Sequence, residues 1–468
     1  TRFNSFTVDG VKQNDDFGLN NSGYVSNRSP ISLDAVEQVS VLTSPWDVQY
    51  SGFQGGVINV VTRSGTNEFS GSAYYYYGDD SLAGDKTRDR NVNLTFEEKT
   101  YGATFGGPII QDKLFFFLNY EKFDRTGPVN VGPRGSGFPV EQPEISQADF
   151  DQVRSISQSV YGFDPLAVPA TVPEQAEKWL VNFDWNISDL HRARLSYQRT
   201  DDFDTAGVPD NLGNRQYFAP SNWYERGYKL DQYVVQLFSN WTDVLSTEFK
   251  YAKKKVRNRQ EPLNGLGFSE VRITTTNPAP IPTGTLFIGP DVSRHANKLE
   301  NDQDQAKFRA EYLMGQHTLS AGVEWEKLDV FNLFVATSRG QAFFNSIADF
   351  QARRANRYAY GNAVTNDAND AAAEFAYSNT ALYVQDRWQV ADSLTLTFGV
   401  RHERFDSSDV PRFNQGYFNR YGFANTETLD GRDLTLPRFG FEWEAGERTT
   451  ITGGVGLFGG GTPNVWVS

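Results

Sequence analysis

From Phe69 onward, apolar and polar residues alternate with a period of two, and the connections between the alternating segments are in turn short and long. No other feature of the 468-residue chain limits its fold as strongly. Period-two alternation puts apolar side chains on one face of a strand and polar ones on the other. The clearest segment sets Trp179, Val181, Phe183, Trp185 and Ile187 against Leu180, Asn182, Asp184 and Asn186. Tyr233/Val235/Leu237, Leu319/Ala321/Val323/Trp325 and Phe439/Phe441/Trp443 follow the same scheme. The pattern predicts about thirteen strands, each of a length to cross a bilayer. Short turns fall near Gln111-Asp112, Ser188-Asp189, Thr242-Asp243, Gly315-Gln316, Ala391-Asp392 and Gly446-Glu447. Long loops run over about 80–98, 126–175, 202–226, 259–302, 330–373 and 406–435. Soluble β-sandwiches have no reason to sort their connections this way. An outer-membrane barrel does, with short periplasmic turns and long extracellular loops. Lipid offers no hydrogen-bond partner, so spanning strands must pair with one another.

Aromatic residues make up 14% of the chain. Alone, that abundance fits soluble sandwiches as well as a barrel. Within the barrel reading, Tyr74–Tyr77, Tyr120, Trp179, Tyr251 and Trp388 are candidates for the interfacial girdle, where rings sit at headgroup level. A net charge of −14 argues against nucleic-acid binding, which needs clustered Lys and Arg. Lys253-Lys254-Lys255, with Arg257 and Arg259, reads as a charged strand end near water, and the acidic groups at Asp79-Asp80, Asp201-Asp202-Asp204 and Asp367/Asp370 read as solvated loop charges. The chain has no cysteine, and His191, His295, His317 and His402 lie far apart in sequence, so no metal site or cofactor is expected. In the loop 126–175, Ser146 and Asp149 form a capping-box pattern before Phe150, Val153, Ile156 and Val160, which predicts a short amphipathic helix over 146–160. A second short helix is expected within 345–358. The sequence begins without an export signal and ends after an odd strand that heads outward, so parts of the protein are expected beyond both ends.

Residues 1–67 differ. Phe6-Thr7-Val8 runs into an Asp9-Gly10 turn, Leu33–Val39 has helical spacing, and Val57–Arg63 reads as a strand after the glycine-rich run Gly52-Phe53-Gln54-Gly55-Gly56. The Gly-x-x-Gly-Gly pattern is not a phosphate loop, because no Lys-Ser/Thr follows and Val57 opens a strand. The run from Phe6-Thr7-Val8-Asp9-Gly10-Val11 through Gly55-Gly56-Val57-Ile58-Asn59-Val60-Val61-Thr62-Arg63 resembles the plug signature of TonB-dependent outer-membrane receptors, most nearly the Oar-like subgroup. Downstream, the segments 383–406 and 437–458 resemble barrel strands of that subgroup.

The resemblance implies an all-β membrane fold, a large antiparallel barrel of about 22 strands with a small α+β plug in its lumen. Residues 1–67 would be the C-terminal part of the plug and 68–468 the N-terminal part of the barrel. It also implies a plug signature at Asp9, Gly10, Glu37, Gly52, Gly55, Gly56, Asn59 and Arg63. Glu37 would either form a plug–barrel ion pair or remain a solvated charge. Many relatives have Leu-Arg-Gly-Pro where this chain has Leu42-Thr43-Ser44-Pro45, so their plug arginine has no match at Thr43. The implied partners are outer-membrane lipid, TonB with its inner-membrane motor, and an extracellular ligand, with peptide or protein as a hint from the subgroup. The implied place is the outer membrane of a Gram-negative bacterium.

Active transport through a plugged barrel is therefore the expected function. The alternative is a passive pore or a structural or adhesive surface protein, and a plug in the lumen speaks against a pore. No Gly-x-Ser-x-Gly or Ser/His/Asp set points to an enzyme, and His402-Glu403, neighbours on a strand, must point to opposite faces. Tags at 150, 285 and 360 should be reachable on intact cells and tags at 189 and 392 should not; the reverse labelling would overturn the orientation.

Overall fold

The computed structural model describes residues 4–20, 23–43, 45–84, 86–87, 90–91, 95–210, 212–460 and 464–466. Thirteen strands form one sheet in which every neighbour in sequence is a neighbour in space. They are β1 (Ser70–Asp79), β2 (Glu97–Ile110), β3 (Leu114–Pro128), β4 (Thr171–Ser188), β5 (His191–Ala206), β6 (Tyr224–Asn240) and β7 (Leu245–Pro262). Then follow β8 (Asn297–Met314), β9 (His317–Phe334), β10 (Ala373–Ala391), β11 (Leu394–Asp406), β12 (Asp433–Gly446) and β13 (Thr449–Gly456). All pairings in this wall are antiparallel, as expected from the alternation. Among the described residues β1 and β13 are each paired on one side only.

The alternation sorts the faces as predicted. Trp179, Phe183, Trp185, Leu195, Tyr233 and Leu382 are exposed on the outside, while Asn182, Gln198, Gln232, Lys254, Gln303 and Arg401 are buried on the inside. On the outer face Tyr75, Tyr101, Tyr120 and Trp179 form a chain of ring contacts at 6.5, 6.5 and 4.4 Å across β1 to β4, and Tyr197–Tyr233 continues it at 4.9 Å. This is the upper aromatic belt. Tyr74 does not belong to it. Its ring points inward and its hydroxyl donates to Glu121 at 2.8 Å, because a run of four tyrosines on a strand must divide between the two faces.

From Trp179 to Ile187 is about the span a tilted strand needs to cross hydrocarbon. Yet β4 has 18 residues, about 60 Å at ~3.3 Å each. The strands therefore continue well above the belt into segments that the sequence assigns to loops, such as 202–206 and 259–262. Out there both faces meet water, so the alternation that marks a spanning strand fades while backbone pairing persists.

Above the wall, the loops do not hang separately. Gln216–Phe218, Gly284–Ile288, Glu270–Thr275, Gln341–Phe344 and Arg357–Ala359, drawn from three loops, pair in that order as a five-stranded sheet. Two helices pack on one face: α1 (Gln147–Ile156), capped by Ser146 and Asp149 as predicted, and α2 (Ile347–Gln351). Ile145, Phe150, Tyr217, Ile273, Leu286 and Phe350 are buried in the shared core. Position 150 lies inside it and 285 is paired within its sheet, so tags at Gly137 and Asn362 test the same orientation without disturbing packing.

Below, a four-stranded sheet of Ser5–Val8, Val11–Lys12, Val36–Thr43 and Gly56–Thr62 sits against the inner face of the wall. Asp9 and Gly10, at φ 50° and 73°, make the expected hairpin turn. The helix expected at 33–39 is only a turn of 3-10 helix at Leu33–Ala35, and the strand starts at Val36. Its Val36, Val39 and Val41 are β-branched and pair with Gly56–Thr62 in the sheet, which overrides the helical spacing. Placing Arg at Leu195, on the lipid face, should cost ~2–4 kcal/mol near the bilayer centre. It should lower the heat-modifiable folded fraction in membranes; an unchanged fraction would contradict the assigned face.

Candidate functional site

The small sheet is held against β3 to β7 by a polar ladder. Gln13 donates from Nε2 to Gln232 Oε1 at 3.2 Å and also bonds Gln198. Pro30 O accepts from Gln198 Nε2 at 2.8 Å and Thr200 Oγ1 at 2.6 Å. Asp202 accepts from the backbone N–H groups of Asn27 at 2.7 Å and Arg28 at 3.3 Å, and from its wall neighbour Tyr228 at 3.1 Å. Ser32 donates to Glu121, which also takes Lys178 at 2.7 Å. Arg28 pairs with Glu174 at 3.2 Å and lies 3.6 Å over the ring of Phe123.

Two charges depart from the reading as solvated groups. Lys254 is 1% exposed and forms an ion pair with Asp16 at 2.7 Å while donating to Lys12 O at 3.1 Å. Asp202 is also 1% exposed. Alternation explains both. In Lys253-Lys254-Lys255 only the middle residue faces the lumen, and Lys253 faces outward to Asp304 at 3.0 Å. A buried charge persists when its partner and hydrogen bonds compensate the lost hydration.

Of the residues assigned to the plug signature, Arg63 bonds the wall directly, Asp9 reaches it through Thr62, and the others act beside it, within the small sheet or at its surface. Asp9 is buried and accepts from Thr62 N at 2.9 Å and Thr62 Oγ1 at 2.7 Å. Thr62 Oγ1 in turn accepts from Asn182 Nδ2 at 2.9 Å and from Arg194 at 2.8 Å on the wall. Arg63 O accepts from the same two wall residues at 2.8 and 3.1 Å. The Arg63 side chain pairs with Glu37 at 3.8 Å, with both groups exposed. Of the two roles left open for Glu37, no ion pair to the wall is present among the described residues. Asn59 Oδ1 accepts from Thr7 at 2.7 Å. Gly10 packs against the Lys250 ammonium. Gly52 has φ 73° and donates its N–H to Gly459 O at 3.1 Å, while Gly55 lies in an exposed bend. A Cβ at Gly56 would come within 2.7 Å of Leu42 O, so only glycine lets the paired backbones approach there. Thr43 ends its strand, and Ser44 lies outside the described residues.

A second attachment involves residues that the sequence reading passed over. Trp46 lies in a slot made by Gly440 and Gly454, where an added Cβ would meet the indole at 2.8 and 2.7 Å. Arg438 donates to Asp47 O at 2.7 Å, and Gln385 Oε1 accepts from Val48 N at 3.0 Å. Glycines inside strands mark close approach of another group, which is the signal Gly440 and Gly454 carried. Between the two attachments, a cavity of about 490 Å³ separates the small sheet from β4 to β11. Asp9, Asp184, Glu248, Glu324, Lys12, Arg194, Lys250 and Arg401 are among its lining groups, so charges of both signs face one water-accessible space.

In the loop layer, His295 is buried below the five-stranded sheet. Its Nε2 meets Pro290 O at 3.1 Å, and its Nδ1 accepts from Arg339 N at 3.2 Å. That pattern suits the neutral ring, and burial holds its pKa below the usual value. Asp164 is held below the usual carboxylate range by Arg154, which donates to it at 2.9 Å.

The description Outer membrane beta barrel domain matches residues 61–167 and 164–466. The TonB-dependent transporter Oar of Myxococcus xanthus is 25% identical over 86% of this chain, which spans 42% of that relative's length. The outer membrane transporter YddB from Escherichia coli superposes with a TM-score of 0.63 at 13% identity, covering 99% of this chain and 54% of that one. The siderophore receptor PirA from Pseudomonas aeruginosa gives 0.53 at 13%, covering 97% and 54%. At such identity these two structures speak to the fold alone.

Truncating Asp202 to Ala removes three hydrogen bonds from a buried seat, at a cost of about 1–3 kcal/mol. Proteolysis within residues 4–43 should quicken several-fold in folded protein, and an unchanged rate would show that Asp202 is not an anchor. Because burial depresses the His295 pKa, its contribution to loop stability is full above about pH 6.5 and is lost as pH falls below that. Protection factors at 291–296 and 337–340, with the intrinsic pH dependence of amide exchange divided out, should fall from pH 7 to 5 and lose that dependence in His295→Gln; pH-independent protection in the parent would refute this.

Proposed function

The chain belongs to the outer membrane beta-barrel domain family, and from that premise we propose that it is part of an active transporter and receptor of the Gram-negative outer membrane. In this reading residues 1–67 act as the C-terminal part of a plug and 68–468 as the N-terminal part of the barrel wall. An extracellular ligand binds to the loop layer and the plug apex. TonB and its inner-membrane motor then supply work that shifts the plug and opens a path along the wall. No covalent step is required of the protein.

The observation that carries this is the uneven seating of the small sheet. A polar ladder fixes it to β3–β7 and a glycine slot fixes it to β12–β13, while a charge-lined cavity of about 490 Å³ lies between. Hydrogen bonds exchange for water at little net cost, whereas an apolar core of the same area resists opening. A seat built of such bonds can part and reform. A passive pore, the alternative, has no use for a domain bonded into its lumen. The loop layer, with its own core, supplies a defined outer surface for a ligand.

The chain has no cysteine, so a cross-link can be read cleanly. Val11 is buried in contact with Val234 and Ala252 on the wall. Cysteine at Val11 with cysteine at Val234 or Ala252, in the full-length protein, should block TonB-dependent growth or uptake when oxidised and restore it when reduced. Full activity in fully cross-linked cells, or activity indifferent to loss of TonB, would refute the reading.

A further inference from the structure

The loop sheet has two faces. Tyr217, Leu286, Ile273 and Phe344 turn to the core. The opposite face carries one transverse row in which Phe218, Phe287, Arg272, Phe343 and Arg357 each stand in register with the next. Phe218 and Phe287 are 4.5 Å apart, and the Arg272 guanidinium lies between Phe287 at 4.7 Å and Phe343 at 5.2 Å. Arg357 lies 3.8 Å over the other side of Phe343. A guanidinium stacked on a ring is held flat, is weakly hydrated and keeps its N–H edge free for a planar oxyanion. Arg272 already donates its Nε to Glu270 at 3.0 Å. Arg357 is exposed and forms no salt bridge with a described carboxylate.

Two further observations choose the ligand. Residues 331–366 carry four arginines (339, 353, 354 and 357) and one carboxylate, Asp349, in a chain of net charge −14. Asp349 is already bonded to Arg354 and Ser346, so the surplus of this segment is positive. The strand Arg357–Ala359 is also the last in its sheet, and no described strand pairs with its outer edge. Tyr358 and Tyr360 beside it are more than half exposed. An open edge offers backbone donors and acceptors that a polypeptide can use and a small anion cannot. The geometry points to this edge as the docking site for an extended acidic polypeptide, whose strand adds beside Arg357–Ala359 and places a carboxylate on Arg357. Phe343 and Arg272 form the platform that holds Arg357 flat.

The assignment rests on the receptor reading, but its test needs no energised membrane. The full-length protein in detergent is titrated with a fluorescent octapeptide of alternating Glu and Val. The same peptide with Gln or Lys for Glu, and a form N-methylated at alternate residues, serve as comparisons. The acidic peptide is expected to bind at least tenfold more tightly than the Gln form, and Arg357→Ala to abolish that difference. Arg357→Lys should recover part of it, and Phe343→Leu should leave an intermediate value. Inorganic phosphate and succinate should compete only weakly. Equal binding of the Glu and Gln forms, or of the parent and Arg357→Ala, overturns the proposal. So does undiminished binding of the N-methylated form, or full competition by phosphate, either of which would mean a simple anion site. Self-association of Arg357→Ala with peptide binding intact would make Arg357 an edge guard instead. A protein that transports under TonB yet ignores every peptide refutes this surface and leaves the transport reading standing.

Discussion

Every strand of the wall has to satisfy two solvents at once. Hydrocarbon offers no hydrogen bond, so the backbone must pair with neighbours throughout the span, and no helix of the described residues is long and apolar enough to cross by the other route. Once the backbone is committed, side chains are all that can differ between the faces. Leu195 and Gln198, three residues apart on β5, show the division: one faces out, and the other is buried against Pro30. The aromatic belt, the polar lumen and the sorting of connections all follow from that one requirement.

The lumen then sets its own terms. A wall face built of Gln, Asn, Thr and charged groups meets the small sheet through hydrogen bonds rather than through a continuous apolar core. Apolar contact is divided into separate patches: Val11 with Val234 and Ala252, Val25 with Leu230 and Val256, Phe17 with Leu328 and Val330, and the largest, where Phe6, Val8, Ile31 and Val60 meet Phe117 and Leu180 of the wall. The buried ion pair of Lys254 with Asp16, at 2.7 Å across the seat, fixes position more than it adds stability. Such a seat is specific in register, and its apolar area is split into patches between polar contacts.

Outside the membrane the same strands behave as ordinary soluble sheet. The loop layer has a core in which Phe150, Ile273, Leu286 and Phe350 meet, though they come from three different connections between wall strands. Because its strands start from several places on the rim, the layer ties the upper ends of β3 to β10 to one another. Its row of arginine and phenylalanine lies on the opposite face of the sheet, with Phe287 buried and Arg357 exposed at the edge.

Much of this was legible in the residues. The alternation of Trp179 to Ile187 gave face and direction, the connection lengths gave topology, and Ser146 with Asp149 gave a helix start, because each is a local rule that needs only neighbours in sequence. The Asp9-Gly10 turn was legible for the same reason. What stayed hidden depends on partners far away. Asp202 and Lys254 look like surface charges until Asn27 and Asp16 are set against them. Tyr74 looks like a girdle residue until Glu121 draws it inward. Trp46 has no visible role until Gly440 and Gly454 leave room for it. The assembly of three loops into one sheet has no local signature at all. Sequence alone decided that this is a membrane wall with a small domain beside it, since periodicity is written along the chain. Tertiary structure decided which polar groups hold that domain and which loops join into one layer, since burial is a property of residues brought together from hundreds of positions apart.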